Sequence, residues 1–414
     1  MKNQLLLLIA FVFVLRATAQ TVEIPSDARR TVTTGLPFVL IAADARAASM
    51  GDMGVATSVD AFSQQWNASK YAFSETKSGI AVSYTPYLSK LVNDIFLGNV
   101  TYFNRLDERS AFAASFRYFS LGDIEFRDTA DQDPLIQRPN ELTLDASYAL
   151  RLSDQFAMSV AMRYMRSDLR LDDGSGDSSA ANTFGVDISG YYQSEEIPYS
   201  DFYGRWRGGF ALQNVGPKFK YDDGGQESFQ PTNLRLGGGF DFIFDNYNKL
   251  ALTAEVTKLL VPTPPQYATE YNYTDSNGNG QYDEGVDELG TVVPGRENYI
   301  YKGNNPNDIG FLEGMFKSFG DAPDGFSEEL KEFTWALGAE YTYEDSFAFR
   351  AGYFNESEEK GARKFMALGA GFKANIVNID ISYLFSTSKV QSPLENTLRF
   401  SLTFNIGAGT YVEY

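Results

Sequence analysis

The chain contains no cysteine and no histidine, and past its first twenty residues it has no long apolar run. The first two absences exclude disulfides, thiol nucleophiles, histidine-based triads and the usual zinc or haem ligand sets. The third excludes a helical membrane protein but not a barrel, whose strands cross with only about ten residues of alternating character. Positive charge is also scarce, with 35 Lys and Arg against 54 Asp and Glu, a formal net charge of -19 and a pI near 4.5. Such a chain repels phosphate backbones, so no nucleic-acid partner is expected. What is abundant is aromatic surface: 25 Tyr and 33 Phe beside only 3 Trp.

Met1 to Ala19 reads as a secretory signal peptide. Lys2 precedes an apolar stretch from Leu5 to Leu15, and Ala17-Thr18-Ala19 forms a small-residue cleavage site before Gln20. The stretch is too short to span a bilayer, which needs about 20 apolar residues.

From Gly79 onward the sequence alternates with period two. Leu398, Phe400, Leu402, Phe404, Ile406, Ala408, Val412 and Tyr414 share one face, opposite Arg399, Ser401, Thr403 and Asn405. Fourteen such segments lie near 79–88, 95–104, 110–120, 141–150, 156–166, 182–193, 206–214, 233–243, 249–259, 334–343, 346–355, 365–373, 376–385 and 396–406. Tyr and Phe gather at their ends, as in Tyr102-Phe103 and Tyr191-Tyr192, where aromatic girdles belong. Even-numbered connections are mostly short and odd-numbered ones long; Ser194–Arg205 is the exception. The expected fold is all-β: a fourteen-stranded antiparallel transmembrane barrel over 79–414 with long extracellular loops and both termini periplasmic, integral to a bacterial outer membrane and its lipid bilayer. A secreted sandwich or propeller also alternates, but its strands are nearer 5–6 residues and its loops need not alternate in length.

Residues 20–78 precede the first strand. Leu36 to Ile41 is apolar, followed by Ala42, Ala43, Ala45, Ala47, Ala48, Ser49, Gly51 and Gly54, small residues suited to close packing in a lumen. The segment is either a periplasmic extension or a plug, and periodicity does not choose.

The run from Thr34 to Thr57 resembles the N-terminal signature of the PorV family of the type IX secretion system. It contains Pro37, Phe38, Asp44, Arg46, Met50, Gly51 and Gly54. The similarity continues through Asp60, Trp66-Asn67, Lys70-Tyr71-Ala72-Phe73, Val82 to Leu88, Leu91 to Asp94 and Arg117 to Gly122. One departure is Asn67-Ala68-Ser69-Lys70, where the family pattern has Asn-Pro-Ala-Lys, a change that relaxes a turn constraint. The resemblance implies a FadL-like barrel with its N-terminal hatch in the lumen. It also implies a non-enzymatic role: binding the C-terminal signal domain of secreted cargo and shuttling it from the outer-membrane translocon to a cell-surface attachment complex containing a PorU-like sortase. The second expectation is a FadL-like passive outer-membrane transporter of hydrophobic small molecules.

The connection 260–333 holds 14 acidic and 4 basic residues together with many aromatics, which points to a folded excursion. Within it, Asp275, Asn277, Asn279, Gln281 and Asp283 have the spacing of a calcium loop, with Gly280 at the sharp turn. Val286 stands where a bidentate carboxylate belongs, so Glu284, Asp287 or Glu288 would have to replace it; Asn-Gly turns alone are the alternative. Calcium is the one cofactor that the sequence offers, if the loop is more than a turn. Asp145, Glu255 and Glu340 fall on lumen faces, where Arg117, Arg163 or Arg235 could neutralise them, and Gly237-Gly238-Gly239 would ease wall curvature.

Overall fold

The structure is a computed structural model describing residues 20–26, 29–127, 131, 133–169, 180–221, 225–388, 393–395 and 397–407. The signal peptide over 1–19 and the last alternating positions, Ala408, Val412 and Tyr414, lie outside the described residues.

The alternating segments become fourteen strands: β1 (Ser78–Pro86), β2 (Ile95–Arg105), β3 (Ser110–Leu121), β4 (Asn140–Ser153), β5 (Phe156–Asp168), β6 (Ala181–Gln193), β7 (Tyr203–Val215), β8 (Asn233–Ile243), β9 (Asn248–Leu259), β10 (Phe333–Tyr343), β11 (Phe347–Asn355), β12 (Lys364–Ala374), β13 (Val377–Ser386) and β14 (Leu398–Ile406). Each pairs antiparallel with its sequence neighbours, and β14 returns to β1 from Ser78↔Ile406 to Tyr84↔Phe400. That last pairing closes the ring and leaves no open edge, which separates this fold from a sandwich. A register irregularity between Leu212 and Val215 marks the β6–β7 seam.

The two faces of the wall differ as the alternation requires. On β1, Ile80, Val82 and Tyr84 are exposed while Ala81, Ser83 and Thr85 are buried. The same pattern puts Leu144 and Tyr148 outside β4 and Thr143, Asp145 and Ser147 inside. A continuous apolar outer surface with a polar lumen is stable only in lipid.

Residues 106–109, 154–155, 244–247, 344–346 and 375–376 form the short turns at one end. At the 344–346 turn, Glu344 and Asp345 both take positive φ, 52° and 50°, and Ser346 N donates to Tyr343 O at 3.1 Å. That is the mirror-image turn whose twist suits a hairpin. The exceptional connection shrinks to 194–202, because β7 starts at Tyr203 and Ile197–Pro198 folds back on it. Tyr199 stacks on Phe202 at 4.8 Å beside Trp206, Phe240 and Phe242, so an aromatic girdle extends this strand past its period-two signal.

The segment 20–78 does not behave as one unit. Thr21–Pro25 is an edge strand on Gln266–Thr274, running from Thr21↔Asn272 to Pro25↔Ala268. Glu288–Val292 and Tyr299–Lys302 line the opposite edge of Gln266–Thr274. Residues 20–26 therefore lie at the long-loop end of the barrel, not at the short-turn end where the sequence reading puts the N-terminus. The reason is hydrogen bonding: Gln266–Thr274 would otherwise offer an unpaired edge. From there the chain enters the lumen as a hatch, with short helices at Pro37–Leu40, Ala45–Ser49, Ser63–Trp66 and Ala68–Phe73, before β1 begins at the short-turn end.

Candidate functional site

The hatch fills the lumen and is held there by polar contacts in both directions. Asp44 caps Ala45–Ser49 by accepting from Ala47 N at 2.7 Å, and its other oxygen accepts from Trp66 Nε1 at 2.9 Å. One acidic side chain thus stops a helix and anchors the Trp66 indole. Asn67 Nδ2 donates to Val55 O and to Gly190 O on β6, both at 2.9 Å, while its Oδ1 accepts from Ser69 N at 3.2 Å. The cap on Ala68–Phe73 therefore survives the missing proline.

Arg46 is the centre of the ionic network. Its Nε and Nη2 meet Glu340 Oε2 and Oε1 on β10 at 2.9 and 2.7 Å, and its Nη1 reaches Asp60 at 2.7 Å. Glu340 is shared with Arg350 on β11, which also pairs with Asp380 at 2.7 Å. On the neighbouring strand β9, Glu255 Oε2 accepts from Gly54 N and Val55 N at 2.9 Å, and its Oε1 accepts from Arg235 at 3.0 Å. Arg235 lies 5.0 Å over the Trp66 ring, a cation–π contact between wall and hatch. Asp145 takes Arg163 and Arg117, and Arg117 also reaches Val39 O at 3.1 Å.

The apolar hatch residues fit by shape. Phe38 stacks on Phe119 at 5.9 Å from Pro37–Leu40, whose first residue Pro37 is exposed. Met50 is buried, and Gly51 turns at φ 87° with the Tyr353 backbone where a Cβ would stand. Opposite, Gly352 has no room for a Cβ because the Met50 backbone occupies that space. Gly237 and Gly239 likewise clear Val55 and Arg207, so hatch and lumen packing, more than curvature, accounts for two of the three glycines.

Sequence reasoning missed Arg207, which crosses from β7 to donate to Ala56 O, and the depth of Lys70, fully buried with Nζ on Gly54 O at 2.9 Å and Thr57 Oγ1 at 3.1 Å. The β7 alternation could have placed Arg207 inside; no sequence signal gives the partner.

At the short-turn end the hatch leaves a cavity of about 330 Å³ bordered by Arg46, Asp60, Arg205, Glu340, Arg350 and Asp380. Phe62, Phe73, Phe103, Phe347 and Phe372 border it as well, so the lining is mixed in character.

In the long loop, the candidate calcium residues form a self-bonded turn. Asp275 accepts from Gly278 N and Gly280 N at 2.6 and 2.7 Å; donors from Gly280 first hold its carboxyl below the usual carboxylate range. Asp283 accepts from the Asn277 and Asn279 amides at 2.7 Å, Asn279 Oδ1 accepts from Gln281 N at 2.8 Å, and Asp287 accepts from Ser276 N and Asp283 N. Among the described residues no group of three acidic side chains converges as a metal site.

The sequence matches the family described as type IX secretion system protein PorV over residues 24–266, more than half of the 414. The chain belongs to the PorV family. The matched span holds the hatch and β1 to β9. No curated protein matches the chain. Similar solved structures include the TodX deltaS2S3 mutant monoaromatic hydrocarbon channel, at TM-score 0.49 and 10% identity over 87% of this chain and 98% of that one. The toluene transporter TbuX of Ralstonia pickettii gives TM-score 0.43 and 12% identity over 88% and 97%. A FadL homologue of Pseudomonas aeruginosa gives 0.42 and 11% over 91% and 100%. At these scores the likenesses carry no functional argument. An antiparallel barrel with an apolar outer wall, in the PorV family, fits an outer-membrane protein of a secretion system, and PorV membership speaks for a role other than catalysis.

Proposed function

We propose that the protein is a membrane-held adaptor of the type IX secretion system. It binds the C-terminal signal domain of secreted cargo at its long-loop rim and hands that cargo from the outer-membrane translocon to the sortase-bearing attachment complex. The observation that carries this reading is the PorV match over 24–266, set beside a lumen closed by a hatch that is bonded to the wall on several sides. A filled lumen moves the working surface to the rim. There Leu91, Leu135 and Ile136 are exposed on loops that reach beyond the barrel, apolar anchors of the kind a protein interface needs. Passive transport of hydrophobic molecules gains no comparable support, since the hatch that fills the lumen is bonded to several strands of the wall.

Deleting the gene and examining secreted proteins tests the proposal. Cargo that accumulates with its C-terminal signal uncleaved supports the adaptor. Normal secretion combined with lost uptake of a hydrophobic nutrient would overturn it.

A further inference from the structure

Strand register shows where the last part of the long loop goes. On β9 and β10 the outward positions include Leu252, Val256, Trp335 and Leu337, all exposed, and Val256 sits directly opposite Trp335. Two residues further along, Lys258 pairs with Phe333, so both belong to the same outward face. Lys258 should therefore be open to the surroundings, yet it is 1% exposed. It is roofed by Glu329 and Glu332, each 2.7 Å from its Nζ, and by the Phe319 ring. The helix Phe326–Lys331 thus lies against the outside of the wall, one strand pair beyond Trp335.

Its wall-facing side is fully committed. Besides Lys258, Glu328 pairs with Arg30 at 2.9 Å and with Lys360, and Glu332 also pairs with Lys360 at 3.0 Å. Its far side carries Phe326 and Leu330, 75% and 55% exposed and four residues apart. The preceding helix, Phe311–Lys317, shows the same design, with Leu312 and Phe316 54% and 78% exposed and Gly314 and Met315 buried. Residues at i and i+4 share one helix face, so each helix presents an apolar stripe outward.

We propose that these two helices form a membrane-interfacial foot. Their stripe enters the acyl region of the leaflet on the long-loop side, next to the lipid-facing band that ends at Val256 and Trp335. Continuity with that band selects lipid as the occupant: the same outer wall, followed upward past one residue pair, meets the foot. Lys317 and Lys331, at the ends of the two helices, would then stand at headgroup level, their stems along apolar surface. The ion pairs to Lys258, Lys360 and Arg30 hold the second helix at that height.

The absence of native cysteine makes the test direct. Phe316→Cys and Phe326→Cys variants are spin-labelled in the folded barrel and placed in vesicles of phosphatidylethanolamine and phosphatidylglycerol. Collision with oxygen is then compared with collision with a water-soluble nickel chelate. Leu337→Cys on the lipid band and Asn277→Cys on the loop are the references. The expected result is an oxygen-to-nickel ratio at both foot positions close to that of Leu337→Cys and several-fold above that of Asn277→Cys. A ratio matching Asn277→Cys overturns the proposal and leaves the stripe to a protein partner. Leu312→Cys reads the same face should either Phe variant fail to assemble.

Discussion

Arg46 of the hatch grips Glu340 of β10 with two parallel hydrogen bonds, at 2.9 and 2.7 Å, from the interior of the lumen. Two-pronged guanidinium–carboxylate pairs fix orientation as well as distance, and breaking a buried pair costs about 3–5 kcal/mol when a charge is stranded. The network predicts an order of effects. Arg46→Ala leaves Asp60 without its arginine and removes one of the two arginines on Glu340, whereas Glu340→Gln leaves Arg46 with Asp60 and Arg350 with Asp380. Arg46→Ala should therefore cost about 3–5 kcal/mol and Glu340→Gln about 1–3 kcal/mol. Denaturant midpoints of the purified barrel, with protease cleavage within 34–77 reporting hatch release, would show equal losses if the network has no such hierarchy.

Gly352 predicts a steric counterpart. A side chain there must displace the Met50 backbone, while Gly238 faces outward and meets nothing nearer than Arg207 O at 3.9 Å. Gly352→Val should destabilise hatch seating by about 1–3 kcal/mol through overpacking, with Gly238→Val close to neutral. Protease cleavage of the hatch in both variants is the measurement, and equal protection in both would contradict the packing described.

How much of this was readable beforehand depends on range. The wall was legible because period-two alternation is local: every one of the fourteen segments became a strand with ends within three residues of the expected ones. Lumen carboxylates were legible for the same reason, and Asp145 and Glu255 do meet Arg163 and Arg235. Glu340 instead takes Arg46 from nearly three hundred residues away, a partner that alternation has no means to indicate. Lys258 misleads in the opposite way: its outward parity implies lipid, and only the fold of a distant loop reveals a buried ion pair. The N-terminal strand is set by an open edge on Gln266–Thr274, which no local pattern in residues 20–26 could announce. Even the acidity changes meaning, since Glu328, Glu329 and Glu332 of the acidic loop neutralise cations of the wall, the hatch segment and the β11–β12 connection.

Glu328 makes that loop sensitive to acid. Burial pushes its carboxyl up, but hydrogen bonds from Arg30 and Lys360 prevail and hold it at about 2, below its ordinary 4.5. A carboxyl depressed in the folded state contributes its full stabilisation above the ordinary value and loses it as pH falls toward the folded one. The loop should thus loosen between pH 4.5 and about 2. Hydrogen exchange across 260–332 would follow it, and Glu328→Gln should flatten this part of the pH response while raising exchange at neutral pH. An unchanged acid profile in the variant would assign the sensitivity to other carboxylates.

The placement of Gln20–Ser26 gives the sharpest topological prediction. Five consecutive residue pairs tie Thr21–Pro25 to Gln266–Thr274, so the start of the hatch segment and the long loop share one side of the membrane. The turn at 244–247 lies at the other end, with Asn246 exposed. Because the chain has no native cysteine, Thr21→Cys, Val286→Cys and Asn246→Cys each introduce a single thiol. In intact cells an impermeant maleimide should label Thr21→Cys and Val286→Cys alike, and Asn246→Cys only after the outer membrane is opened. Labelling of Thr21→Cys together with Asn246→Cys, and apart from Val286→Cys, would mean that the N-terminal strand does not pair with the loop in the membrane-embedded protein.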